Sequence, residues 1–236
     1  RLVGSEMCIR DSIEIIHPAM TPREVMARYG FPLVSKEQAQ AVRNIRTTNS
    51  DKLRTYRLSG NGVRRAGVLS KKWHYLVGEP YMTSEKCCEM LKKRPFHKYN
   101  GQTESLGMVG TMAEESKLRQ TMYIRRGGCN AFSDDSRKVH SAPLSIWTAG
   151  DCREYIRRFN IPYCPIYDVP GITRTGCIFC GFGAQIEGGG NRFRALYTLH
   201  PKLYLMAMNY TNNGYTLRYA LRRMGVQLPD EHPELF

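Results

Sequence analysis

The 236-residue chain has no apolar run approaching the length of a membrane span. Nor does any stretch resemble the apolar heart of a secretory signal. A membrane partner is therefore not expected. A chain of this length buries a core without covalent staples, so its 8 cysteines are not expected to form a disulfide framework. A reducing, cytoplasmic setting is the expectation. Repeats and low-complexity tracts are lacking too, and at 42% hydrophobic and 10% aromatic the composition is globular. Acid is scarce: 21 Asp and Glu face 35 Lys and Arg, a formal charge of +14. That excess calls for an anionic partner, whether a nucleotide, a sulfate or phosphate ester, or a nucleic acid. Basic pairs are spread along the chain (Arg64-Arg65, Lys92-Lys93, Arg125-Arg126, Arg222-Arg223) and no single tail holds them. Charge alone does not choose among these partners.

What is present is more specific. Cys87 and Cys88 are adjacent, and Cys177 and Cys180 form a C-x-x-C. Four thiolates brought together most often hold a metal ion or an iron–sulfur cluster. Zinc sites usually space paired ligands two to four residues apart, which an adjacent pair does not satisfy. A cubane offers separate iron corners that neighbouring side chains can reach. The three readings are a [4Fe–4S] cluster, zinc, and free thiols. Cys8, Cys129, Cys152 and Cys164 are expected to be buried as small hydrophobes.

Punctuation residues lay out the elements. Ile13–His17 reads as a short buried strand. Thr21-Pro22-Arg23-Glu24 is a capping box opening a helix that stops at Gly30. Ser35 opens a second helix that ends near Thr47. Residues 48–72 read as an exposed loop. Ser84 caps a helix reaching Lys93, with Pro95 as its stop and both cysteines in its first turns, where the helix end favours thiolates. Residues 106–111 read as a buried parallel strand weakened by two glycines. Thr148-Ala149-Gly150-Asp151 opens a helix to about Phe159. Residues 191–209 are helical with a break at His200-Pro201, and a last helix runs over 215–224. The alternation predicts an α/β fold with a mainly parallel sheet and a helical C-terminal lobe.

Three further strings accompany the cysteines. Gly110 to Arg119 places a Gly after a strand, where open α/β sheets take ligands. There Ser116 can donate to a phosphate oxygen and Arg119 can pair with one. The second string is Pro143-Leu144-Ser145-Ile146-Trp147-Thr148, continued by Asp151 and Tyr155. The third is Pro165-Ile166-Tyr167, then Arg174-Thr175-Gly176 and the C-x-x-C. Trp147, Tyr155 and Ile161 read as core.

Over roughly residues 13–200 this ordered set resembles the phosphoadenosine phosphosulfate (PAPS) reductase family. The resemblance implies an adenine nucleotide α-hydrolase-like, Rossmann-like fold with a five-stranded, mostly parallel sheet between helices. Cys87 to Pro95 resembles the double-cysteine motif of members that reduce adenylyl sulfate. It implies a [4Fe–4S] cluster on Cys87, Cys88, Cys177 and Cys180, an adenine nucleotide or sulfonucleotide held by Gly110, Ser116 and Arg119, and Arg174 and Lys92 close to the cluster. A thiol reductant protein is an implied partner, in an oxidoreductase of sulfur metabolism.

Two parts of the family pattern are missing: the S-G-G-K-D-S phosphate loop and the E-C-G-x-H that carries the nucleophilic cysteine. No catalytic residue is assigned. Residues 1–12 are expected to be a non-native leader, 13–183 a reductase-like α/β domain truncated at its N-terminus, and 184–236 a helical extension. Turnover by this chain alone is not expected. A sulfur-transfer component for DNA phosphorothioation or tRNA thiolation, using ATP, would also keep a cluster and a nucleotide site. A basic zinc-stabilised nucleic-acid-binding module is the non-enzymatic alternative.

Overall fold

The structure, a computed structural model, describes residues 15–62, 66–103, 106–133, 139–169, 172, 176–188 and 191–229. Its helices in chain order are α1 (Pro22–Tyr29), α2 (Lys36–Thr47), α3 (Asp51–Ser59), α4 (Lys86–Cys88), α5 (Arg94–Thr103), α6 (Lys117–Arg126), α7 (Ala149–Arg158), α8 (Arg192–Leu199), α9 (Pro201–Met208) and α10 (Leu217–Arg223). The strands are short: β1 (Leu33–Val34), β2 (Asn130–Ala131), β3 (His140–Ser141), β4 (Gly181–Phe182), β5 (Thr211–Asn212) and β6 (Tyr215–Thr216). The chain is α/β, and it divides into two compact units. The larger combines Pro18–Arg94 with Gly171–Phe236, and the smaller combines Arg1–His17 with Pro95–Pro170.

Helix starts follow the capping chemistry in the sequence. At α1, Glu24 donates its amide to Thr21 Oγ1 at 3.3 Å, and Thr21 donates its own to Glu24 Oε2 at 2.6 Å. Pro22 sits in the first turn, where its missing N–H leaves nothing unpaired. Thr148 and Asp151 make the same reciprocal pair at α7, and Ser35 Oγ accepts the Gln38 amide at α2.

The apolar core lies in the larger unit. Residues 31–34 run through its middle, with Phe31 and Leu33 fully buried. On one side Phe31 bridges Thr83 in parallel, with Phe31 donating to the Met82 carbonyl at 2.8 Å and Ser84 donating back to that of Phe31 at 3.1 Å. On the other, β1 pairs in parallel with β4, Leu33 opposite Gly181 and Val34 opposite Phe182. Helices α1, α2, α9 and α10 contribute Val25, Met26, Val42, Tyr204, Met208, Leu217 and Leu221 to the cluster around them. Two glycines make this packing work. Gly30 holds φ +87°, and a Cβ there would overlap the Met82 carbonyl. A Cβ at Gly181 would lie 2.9 Å from the Pro32 oxygen and 3.0 Å from a Leu221 methyl.

In the smaller unit β2 pairs antiparallel with β3, and Met108 makes a single parallel bridge to Ser141. Ala142 and Ser145 are buried. Trp147 and Tyr155 are half-buried and meet edge to face at 5.3 Å.

Several expectations are corrected. Residues 15–17 form no strand, and Ile15 is 74% exposed; Ile13 lies outside the described residues. Residues 48–72 are not a loop throughout. Ser50 Oγ accepts the Leu53 amide to start α3, and a 3₁₀ stretch spans Lys71–Val77 with Trp73 and Leu76 buried. Pro95 does not stop its helix. The preceding π turn (Glu89–Lys93) has Arg94 donating five residues back, to Glu89, so Pro95 falls in the first turn of α5, where no amide is needed. The 106–111 segment is not a buried strand: its pairing is the one bridge at Met108, which is 73% exposed. Among the described residues parallel pairing consists of β1–β4 and the two single bridges, short of five strands. Cys164 is exposed and Cys129 and Cys152 are half-buried, so none is a core hydrophobe. Cys152 instead donates its thiol to Met112 Sδ at 3.5 Å. Cys8 lies outside the described residues.

Candidate functional site

The pairing around residues 31–34 brings the cysteines together. Thr83 is one neighbour of that segment and Gly181 the other. Cys87 and Cys88 follow Thr83 by one turn, and Cys180 immediately precedes Gly181. Two segments distant in sequence thus arrive on either side of one buried strand, within the larger unit. Ser84, 2% exposed, accepts the Lys86 amide at 3.0 Å and starts α4. Arg43 of α2 clamps Glu85 beside it, with Nη2 2.7 Å and Nε 3.0 Å from the carboxylate oxygens. The C-x-x-C closes as a turn, in which the Cys180 amide donates to the Cys177 carbonyl at 2.9 Å.

The thiols sense one another. The Cys87 thiol donates to Cys88, which pushes the Cys87 pKa up; burial and the nearby Cys88 and Cys180 charges add to this. The same hydrogen bond holds Cys88 down to about 5, helped by the positive charges of Lys36 and Lys92. Burial raises Cys180, partly offset by the Phe182 amide and the Arg192 charge. No three Cys, His, Asp or Glu side chains among the described residues converge on a single ion-sized point.

Two of the cations here were not singled out in the sequence. Lys36 opens α2 just after β1, and its positive charge helps to lower the Cys88 pKa. Arg192 opens α8 and donates from Nη1 to the Cys180 backbone carbonyl at 3.4 Å, its charge lowering the Cys180 pKa. Glu187 orients Arg192 through Nε at 3.0 Å. The buried Asn191 fixes the helix start by accepting the Phe193 amide at 3.0 Å and donating to the Gln227 carbonyl at 2.6 Å. The available signal was a basic residue at a helix start just past a strand or a glycine run. Lys92 stands in the π turn, where its charge acts on Cys88. Lys86 is engaged with Glu89 at 2.7 Å.

The expected anion-binding residues lie in the smaller unit. Ser116 caps α6, its Oγ accepting the Arg119 amide at 3.3 Å. The Arg119 guanidinium is ion-paired with Glu115, one turn earlier. Gly110 has negative φ and room for a Cβ, the nearest atom being a Leu144 methyl at 3.7 Å. Its backbone does not require glycine. Arg174 lies outside the described residues.

Alkylation of the metal-free chain reads out the thiol electrostatics. Because Cys88 is held below an ordinary thiol, it should be thiolate above pH of about 5 and react across the neutral range. Cys87 and Cys180, both raised, should react only in alkali. Lys36→Met should move the Cys88 midpoint upward, as mass-resolved labelling against pH would show. An unmoved midpoint would place Lys36 away from the thiolate.

Comparison with known proteins adds a family. The Phosphoadenosine phosphosulfate reductase domain profile matches residues 47–181, more than half of the chain. "Adenosine 5'-phosphosulfate reductase" of Lysinibacillus sphaericus is 30% identical over 96 residues, 40% of this chain and 38% of that protein. The proteins of the same name from Oceanobacillus iheyensis and Staphylococcus haemolyticus are 30% identical over 98 residues and 32% over 99, covering 41% and 40% of this chain and 37% and 36% of those proteins. The matched stretch thus spans less than two fifths of each of these curated relatives. No solved structure matches. With the profile running from the end of α2 through the C-x-x-C to the first residue of β4, the chain belongs to the phosphoadenosine phosphosulfate reductase domain family.

Proposed function

We propose that this chain binds an adenine sulfonucleotide beside a [4Fe–4S] cluster held by Cys87, Cys88, Cys177 and Cys180, and serves reduction of the sulfonucleotide. The carrying observation is the arrival of the two cysteine segments on either side of residues 31–34, ringed by Lys36, Lys92 and Arg192. The donor set fits the group. It offers four thiols, with the Cys88 pKa held below the ordinary thiol range, and cations to offset a cluster that carries about −2 with its thiolates. A single zinc ion asks its ligands to meet at one point, with Zn–S of about 2.3 Å, whereas a cubane asks them to stand apart. Cys87 and Cys88 are adjacent in sequence and would each have to reach a separate corner. When bound, the cluster would supply a local negative charge, which Lys36, Lys92 and Arg192 would offset.

The chain's own residues do the rest. Ser116 can donate its hydroxyl while its oxygen still caps α6. Arg119 must exchange Glu115 for a substrate oxygen, and since that pair is solvent-exposed the exchange costs less than about 1 kcal/mol. In the reaction the bond between the sulfate sulfur and the nucleotide phosphate oxygen breaks and AMP leaves. The sulfur takes up an electron pair from a thiol reductant, which ends as a disulfide, and sulfite is released. The family name and the relatives' names support this substrate class.

Calorimetric titration of the cluster-loaded chain with adenylyl sulfate tests the reading. Arg119→Ala should weaken binding by about 1.5–3 kcal/mol, the worth of a charge-assisted hydrogen bond. Glu115→Gln, which releases Arg119, should preserve or tighten it. Equal affinity of the unsubstituted chain and the Arg119→Ala variant would remove Arg119 from the site.

A further inference from the structure

The positive charge is not evenly divided. Pro18–Arg94 and Gly171–Phe236 hold 23 of the 35 Lys and Arg and 10 of the 21 Asp and Glu, a net +13, while the smaller unit has 12 against 11, a net +1. One basic surface of the larger unit has the features of a binding platform. A groove of about 450 Å³ on α10 is lined by Thr216, Arg218, Tyr219, Arg222 and Arg223. Its lining contains no acidic residue.

The groove's geometry is fixed from beneath. Leu217, Ala220 and Leu221, on the opposite face of α10, are buried in the core. The hairpin before it turns on Asn213 (φ +49°) and Gly214 (φ +82°), the left-handed pair that tight hairpins need. Asn212, 3% exposed, pins the hairpin: its Oδ1 accepts the Met82 amide at 2.8 Å and its Nδ2 donates to the Met26 and Ala27 carbonyls at 3.0 and 3.1 Å. Tyr215 and Tyr219, four residues apart, therefore stand side by side, ring centres 5.3 Å apart, and remain 38% and 41% exposed. Arg218 and Arg222 share the same four-residue spacing on the helix. Asn209 orients Arg218 through Nη2 at 3.1 Å, and Arg222 is exposed. Arg223 has a structural role: it pairs with Glu79 at 2.8 Å and covers the Tyr75 ring at 5.1 Å.

We propose that this face of α10 binds single-stranded nucleic acid, with phosphates on Arg218 and Arg222 and bases against Tyr215 and Tyr219. Guanidinium groups suit phosphate oxygens, and exposed rings beside them suit base faces. An acidic peptide would use the arginines and leave the rings idle. A duplex keeps its bases stacked inside and cannot use the rings. The proposal does not rest on the cysteine site.

The test is fluorescence anisotropy of a labelled single-stranded 12-mer titrated with the full chain at two salt concentrations. Arg218→Ala/Arg222→Ala should weaken binding about tenfold or more at low salt and reduce the salt slope by about 1.4, the share of two single-strand phosphates. Tyr219→Leu should weaken it roughly fivefold or more, and Tyr219→Phe should not. Arg222→Glu changes one exposed position and guards against misfolding of the double variant; it should weaken binding at least as much as Arg222→Ala. Arg125→Ala/Arg126→Ala removes equal charge from α6 and should change affinity less than about twofold. Equal losses in the α6 and α10 variants, preference for a duplex, or displacement of the 12-mer by inorganic triphosphate at matched phosphate would each overturn the proposal.

Discussion

Cys180→Ala is expected to lower iron retained after anaerobic loading with iron and sulfide to below about a tenth of that held by the unsubstituted chain. Whereas Cys177 is exposed, Cys180 is half-buried. Its turn is fixed by the Cys177 carbonyl, and its neighbour Gly181 is locked against Pro32. Removing it would leave three cysteine ligands for the group, beside the positive charge of Arg192. Metal binding to folded chain is folding energy, so loading should raise the melting temperature of the unsubstituted chain and not that of the variant. Cys164→Ala, at an exposed position in the smaller unit, should load normally. Full retention by Cys180→Ala would remove that residue from the ligand set.

The largest expected change in stability comes from Gly30→Ala. The backbone at φ +87° disfavours any L side chain by about 1–2 kcal/mol. The added Cβ would also run into the Met82 carbonyl, and overpacking against backbone adds about 1–3 kcal/mol. The sum, about 2–5 kcal/mol, is a large part of the stability of a small domain. Urea unfolding should show it as a lower midpoint with unchanged slope. Gly62→Ala separates the two contributions. It has a similar φ of +78° and open space around a Cβ, so only the backbone part applies. Equal losses at both positions would mean that the 30–82 approach is not close.

Much of the fold was legible because helix starts are written in local chemistry. The boxes at Thr21 and Thr148, the cap at Ser35 and the break at His200-Pro201 all depend on contacts within four residues. The Gly30 stop is equally local. The failures are of two kinds. Residues 48–72 look polar and basic, yet α3 needs only its Ser50 cap, and Leu69 is buried by long-range packing that no local pattern shows. Pro95 was misread because a π turn, invisible in composition, resets the helix before it. At the site the paired cysteines were legible from spacing alone. Lys36 and Arg192 were not, since each becomes relevant only when parallel pairing around residues 31–34 brings it to a thiol. Arg119 was read as an open cation, but its own helix supplies Glu115 as a partner.

We propose Cys87, Cys88, Cys177 and Cys180 as one ligand set for a four-iron cluster. The most direct measurement is the count of iron, acid-labile sulfide and zinc on the unsubstituted full chain after anaerobic loading and gel filtration, with its Mössbauer spectrum. About four irons and four sulfides per chain, with the spectrum of a [4Fe–4S] cluster, are expected. One tightly held zinc per chain with no labile sulfide would contradict the proposal.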